Sequence, residues 1–217
     1  MIKINEVFLS AQGEGPDSGI PTVFLRLSGC NVECKWCDSK YHTEVKETLS
    51  VEDLVKRVQD VDRYQSGRVY ITGGEPLVQR EFVAHLVYQL TQQKYDCTIA
   101  TNGTLSTPSW WRLVTWDVDM KCPSSGVTKF EDSWVSVGRK NRVKFVVADR
   151  QDLNFVLTVL PDMKRVNAPT LLVSPMIPTV GTHTQNWLQE VWNFCVQYNL
   201  RYSLQIHKVI FGAKKGV

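Results

Sequence analysis

Three cysteines fall within one short stretch, Cys30-Asn31-Val32-Glu33-Cys34-Lys35-Trp36-Cys37, directly after an apolar segment that alternates as a strand. Thiolates are the usual ligands of iron–sulfur clusters, four for a four-iron cube, so three protein ligands leave one iron able to bind something else. An open coordination position implies chemistry on a bound molecule rather than electron storage alone. The same thiols could instead serve a structural zinc ion, with His42 or Cys122 as the fourth ligand.

A second constellation is Thr72-Gly73-Gly74-Glu75-Pro76, at the end of the strand-like Val69-Tyr70-Ile71. Adjacent glycines at a strand end let backbone approach a ligand where no side chain intrudes. In the strand before the cysteines, Val23, Leu25 and Leu27 share one face, and Phe24 and Arg26 the other, because strand side chains alternate. If the Arg26 side is a barrel lumen, its planar fork suits a carboxylate or phosphate. The alternative is an arginine on the solvated face of an edge strand.

The elements that must hold these groups are legible as period. Alternating segments at 21–28, 68–72, 98–101, 114–118, 142–148, 170–174 and 202–206, each bounded by turn residues, predict strands. Ser50 with the acidic Glu52 and Asp53 predicts a helix start, with Leu54, Val55 and Val58 as its buried stripe, and further helices are expected at 79–92, 150–160 and 185–198. Alternating strands and helices argue for an α/β fold with a mostly parallel sheet. A complete eight-unit barrel takes about 250 residues, so this chain is expected to form a partial, open βα barrel of about six units. The active site then belongs at the carboxyl ends of the strands, where the cysteine loop sits.

With 217 residues, 43% hydrophobic, and no linker or repeat, a single domain over 1–217 is expected. No apolar run reaches the ~18 residues of a membrane span and the N-terminus lacks a signal-peptide pattern, so a cytoplasmic protein is expected, with no membrane partner. Cys97, Cys122 and Cys195 then read as plain buried thiols. A net charge of +3 gives no argument for nucleic acid, and Lys208, Lys214 and Lys215 read as a solvated tail.

The Cys-x3-Cys-x2-Cys spacing followed by Gly73-Gly74 resembles the radical S-adenosylmethionine (SAM) superfamily, in which SAM chelates the fourth iron of a [4Fe-4S] cluster and the glycine motif meets its amino group. Nearly the whole chain further resembles the 7-carboxy-7-deazaguanine synthase family within it. That resemblance implies a lyase that contracts 6-carboxy-5,6,7,8-tetrahydropterin to 7-carboxy-7-deazaguanine with release of ammonia, in queuosine-type 7-deazapurine biosynthesis. It also implies Mg2+, an external electron donor of the flavodoxin type and a homodimer. Ala11-Gln12-Gly13-Glu14-Gly15 looks like the substrate-binding segment, so Gln12, Gly13 and Glu14 are implied to meet the pterin, with Thr72. Arg26 stands where the family grips the substrate carboxylate. Trp36, Cys37, Asp38 and Gly74 are implied at SAM, and Ser39 at the magnesium position. Ile99-Ala100-Thr101-Asn102-Gly103-Thr104 resembles a family strand end that usually carries an acidic residue at the Ala100 position. Asp119-Met120-Lys121 and, on the next strand, Lys144 resemble further SAM contacts. Leu204-Gln205-Ile206-His207-Lys208 and the chain end resemble the segment that folds over substrate, which implies roles for His207 and the carboxylate of Val217. The cysteine spacing is shared by glycyl-radical activating enzymes, and a zinc-stabilised nucleic-acid module is the rival from another class.

Overall fold

The computed structural model describes residues 1–164, 168–178, 185–212, 214 and 216. Its nine strands form one sheet in the order β3-β1-β2-β4-β5-β6-β7-β8-β9. The parallel part comprises β2 (Pro21–Leu27), β4 (Arg68–Gly73), β5 (Asp96–Thr101), β6 (Thr115–Asp119), β7 (Arg142–Val147), β8 (Thr170–Pro175) and the short β9 (Arg201–Tyr202). At one side, β1 (Ile2–Ala11) adds antiparallel to β2, and β3 (Glu47–Leu49) adds to β1. β3 and β9 stand at the two ends of the order and do not pair with each other, so the barrel is open, as expected.

Alternation sorts each strand. Val23, Leu25, Leu27, Val69, Ile71, Ile99, Trp116, Val118, Val143 and Phe145 are buried in one continuous core. Their alternates, among them Phe24, Arg26, Tyr70, Thr72, Ala100, Asp119, Lys144 and Val146, line a cavity on the opposite, concave face. Arg26 is therefore on an interior strand facing a lumen, and the edge-strand alternative falls. Helices cover the outer face: α1 (Val51–Val61), α2 (Arg80–Gln92), α3 (Arg150–Met163) and α4 (Gln185–Tyr198). Ser50 caps α1, its Oγ accepting the Asp53 amide at 3.0 Å, and Asp149 caps α3 by accepting the Asp152 amide at 3.0 Å. Among the described residues no helix is long and apolar enough to cross a membrane.

Three expectations need correction. Strict strand–helix alternation fails between β5 and β6 and between β6 and β7, where short 3-10 turns replace α-helices. Tryptophans fill the space: Trp116 and Trp134 are fully buried with ring centroids 5.0 Å apart, and their indole N–H groups donate to the carbonyls of Trp111 (2.8 Å) and Leu105 (2.7 Å). The strand expected over 202–206 stops at Tyr202, and a helix, α5 (Ile206–Phe211), begins instead. The Gln205 and Ser203 side chains, both buried, are bonded to the loop after β1 and to Ile177, not exposed on a ladder. Finally, Lys208 is no solvated tail: its ammonium is 2.8 Å from Asp38 and its side chain is 8% exposed. Lys214 lines the cavity, and Lys215 lies outside the described residues.

Candidate active site

The concave face, the cysteine loop, the Gly-Gly strand end, the loop after β1 and the chain's last turns enclose one cavity of about 950 Å³. That is the upper end of the range, about 300–1,000 Å³, typical of small-molecule sites. Cys30, Cys34 and Cys37 are half-buried in its wall. Their loop is fastened at several points. The Gly29 amide donates to the His42 carbonyl at 2.9 Å, the Lys35 amide to Ser125 O at 2.9 Å, and the Trp36 indole to Ser124 Oγ at 2.9 Å. Gly73 and Gly74 hold it from below. A Cβ on Gly74 would collide with the Gly29 carbonyl, and one on Gly73, where φ is +117°, with the Leu27 backbone. The Gly74 amide donates to Leu27 O at 3.1 Å and the Glu75 amide to Gly29 O at 2.9 Å. The pair thus first joins two strand ends, and what it offers a ligand is room.

Burial pushes the Cys34 and Cys37 thiols up, against the pull of Lys121 on Cys34 and of the Ser39 amide on Cys37. Such thiols are not primed nucleophiles. A zinc ion needs its donors around one point, and among the described residues no three His, Cys, Asp or Glu side chains are grouped that way. Cys122 is fully buried with its Sγ against the Met120 carbonyl, so it is no fourth ligand. Three thiols that line one cavity and feel one another's charge suit a cluster, whose ligands sit on separate irons. A further donor is aimed at them. The Thr104 amide fixes Asn102 Oδ1 at 3.0 Å, which turns Asn102 Nδ2 toward Cys30 Sγ (3.8 Å) and Asn31 Oδ1 (2.9 Å). Asn102 is anchored in turn by buried Glu75, which accepts its amide at 2.7 Å and those of Leu77 and the Thr101 hydroxyl. Burial pushes the Glu75 carboxyl up against these hydrogen bonds. Cys97 and Cys195 are buried, each pushed up to about 12, as plain core thiols.

The same cavity holds a chain of paired charges, which reaches Cys34 through Lys121. Lys144 bonds Glu14 and lies 3.2 Å from Asp119, whose other oxygen accepts from Lys121 at 2.8 Å. Burial alone pushes all four toward their neutral forms. It is outweighed: Asp119 and Glu14 hold Lys144 well above the usual lysine range, while Lys144 holds Glu14 low and Lys121 holds Asp119 low. Gln205 donates to Glu14 at 2.9 Å, and Lys121 stands 5.7 Å over the Trp36 ring. Gln12 is buried, its Oε1 accepting the amides of Gly13 (2.9 Å) and Glu14 (3.3 Å), so it shapes the turn that presents Glu14. His207, on α5, packs its ring directly on Gly13. Thr72 sits beside Arg26 in register. Ser39 Oγ donates to Asp38 at 2.9 Å and lies 3.4 Å from Arg26 Nη1. Met120 is in the core, not the cavity lining. Val217 lies outside the described residues.

Sequence reading passed over Glu6, Phe8, Tyr41 and the roles of Asn102, Gln205 and Lys208. Glu6 pairs with Arg26, and Phe8 stacks on Phe24 at 5.2 Å in the cavity wall. The signal for both was β1 itself, masked because a register shift between Ile4 and Glu6 breaks its alternation.

An open βα barrel with a three-cysteine loop at its strand ends defines the radical SAM class, and the radical SAM superfamily model matches residues 25–115. The chain is 34% identical to a 7-carboxy-7-deazaguanine synthase of Methanospirillum hungatei, over 96% of this chain and 85% of that one, and 33% identical to one of Thermoplasma acidophilum, over 99% of each. It belongs to the 7-carboxy-7-deazaguanine synthase family. The crystal structure of QueE from Escherichia coli shares the fold, with a TM-score of 0.75 at 24% identity over 94% of this chain and 93% of that one. Streptococcus suis SuiB bound to S-adenosylmethionine aligns with a TM-score of 0.55 at 16% identity, over 80% of this chain and 44% of that one. With family membership resting on nearly the full length, the activase and zinc-module rivals fall away.

Proposed function

We propose that this protein converts 6-carboxy-5,6,7,8-tetrahydropterin to 7-carboxy-7-deazaguanine with loss of ammonia, using SAM and a [4Fe-4S] cluster held by Cys30, Cys34 and Cys37. The observation that carries the reading is one cavity lined both by three thiols and by Arg26, Glu14, Lys144 and Gln205. When bound, the reduced cluster and SAM supply a 5′-deoxyadenosyl radical for hydrogen removal at the substrate's C6. The protein's own contribution is placement. Arg26 takes the carboxylate, Glu14 and Gln205 meet the polar pterin edge, and the Phe8–Phe24 stack gives an apolar wall. Gly74, Trp36, Asp38, Asp119 and Lys121 border the space beside the cysteines that SAM would take. Lys144 ties the two halves together through Glu14 and Asp119. A Mg2+ ion at the Ser39 hydroxyl, otherwise held by substrate oxygens and water, belongs to the same reading, as does an electron donor of the flavodoxin type. His207 and Lys208 on α5 close the cavity from above, which keeps water from the reacting centre.

The test is anaerobic reconstitution with iron and sulfide, followed by incubation with SAM, dithionite and the carboxylated pterin. Mass spectrometry is expected to find 7-carboxy-7-deazaguanine and one ammonia per product. Radical cleavage of SAM with the pterin left unchanged would overturn the assignment.

A further inference from the structure

We propose that Glu6 is a positioning residue for carboxylate recognition: it fixes the Arg26 guanidinium so that the site selects a carboxylated pterin. The inference rests on the reading of Arg26 as the carboxylate-binding group.

The placement of Glu6 is created by an irregularity. Ile2 and Ile4 are buried on the outer face, and strict alternation would send Glu6 there too. Instead the register jumps, from Ile4 opposite Leu27 to Glu6 opposite Arg26. The residue absorbed is Asn5, 2% exposed, whose side-chain amide donates to the carbonyls of Tyr41 (2.9 Å) and Glu44 (3.0 Å). A bulge commonly re-aims side chains beside active sites. Here it turns Glu6 onto the concave face and anchors the segment that carries Tyr41.

Glu6 Oε1 then accepts Arg26 Nε at 2.6 Å and the Tyr41 hydroxyl at 3.1 Å, while the Tyr41 ring lies 5.5 Å from the guanidinium carbon. The Arg26 and Glu6 side chains are only 16% and 14% exposed, so the pair is barely screened. An arginine has two forked edges, and engagement of Nε directs the terminal nitrogens elsewhere. Nη1 is the atom that reaches Ser39 Oγ, at 3.4 Å, in the cavity wall. A free arginine would lose rotamer entropy on binding, and one already held loses little. Glu6 thus acts on affinity through what Arg26 grips, and its second bond holds Tyr41 beside that same guanidinium.

The experiment measures dissociation constants of the cluster-loaded, SAM-bound enzyme for the carboxylated tetrahydropterin and for tetrahydropterin lacking the carboxylate. Glu6→Ala is expected to weaken the carboxylated ligand about tenfold, as loss of a charge-assisted contact would, and leave the other unchanged. Glu6→Gln, which keeps an oxygen for Arg26 Nε, is expected to recover most of that loss. If Glu6→Ala does not take up its iron, Glu6→Asp carries the same test, since its shorter side chain draws the guanidinium back. Equal losses for both ligands, or none, would overturn the inference. A wild-type enzyme indifferent to the carboxylate would instead overturn the reading of Arg26.

Discussion

Arg26 shows how much one side chain can be asked to do. In the proposed function its fork takes the substrate carboxylate, and a planar fork offers two parallel donors that lysine's point charge does not reproduce. Arg26→Ala is expected to keep its iron and lose about 1.5–3 kcal/mol of affinity for the carboxylated pterin, read by anaerobic titration. Arg26→Lys is expected to restore little of it. The cysteines act differently, because no neighbour among the described residues can stand in for a missing thiol: Cys122 faces the core. Alanine at Cys30, Cys34 or Cys37 is expected to abolish both the brown chromophore and turnover, read as iron per chain. A full cluster in any of the three variants would refute the ligand set.

Where elements meet, the two glycine contacts give different forecasts. At Gly74 an added Cβ meets the Gly29 carbonyl, backbone against backbone between the ends of β4 and the loop after β2. Neither can move without parting the strands, so Gly74→Ala is expected to cost about 1–3 kcal/mol, with lower iron occupancy because Cys30 adjoins the displaced backbone. At Gly13 the obstacle is His207, whose Nδ1 would collide with the added Cβ and whose Cγ and Cβ would lie 2.7 and 2.8 Å away. The ring can turn, but the His207 Cβ moves only with its backbone, so α5 must shift off the loop after β1. Gly13→Ala should therefore raise KM for the pterin, with a smaller drop in the denaturation midpoint than Gly74→Ala, because a short helix rather than a strand pair gives way. The pair of variants, compared by urea denaturation and steady-state kinetics, separates scaffold glycine from site glycine.

Across the whole molecule, ion pairs along the barrel interior stand beside exposed ones such as Arg57–Glu47 and Arg150–Glu190 on the surface. Arg142 pairs with Asp17 and with Asp117 (3.1 Å), Lys144 with Glu14 and Asp119, and Lys208 with Asp38. Burial alone would raise Glu14, Asp38 and Asp119, but their lysine partners hold them below the ordinary values of 4.5, 3.8 and 3.8. A carboxyl depressed in the folded state contributes stability that is complete above its unfolded value and lost as pH falls through the folded one. Glu75 and Asp117, raised chiefly by burial, act in the opposite sense and soften the decline. Stability by urea denaturation is expected to fall below about pH 4, and Lys208→Ala to flatten that slope by removing the partner that depresses Asp38. An unchanged slope would show that the Lys208–Asp38 pair carries no linkage. The sequence by itself determined the parallel strands, four helices and the cysteine loop at the strand ends, because period, caps and spacing are local. The extent of β9, the tryptophan-filled crossovers and α5 depended on partners far along the chain, and so did the burial of Lys208. So did Glu6 opposite Arg26: a bulge shifts alternation by one residue, and only the neighbouring strand fixes which face the side chain then meets.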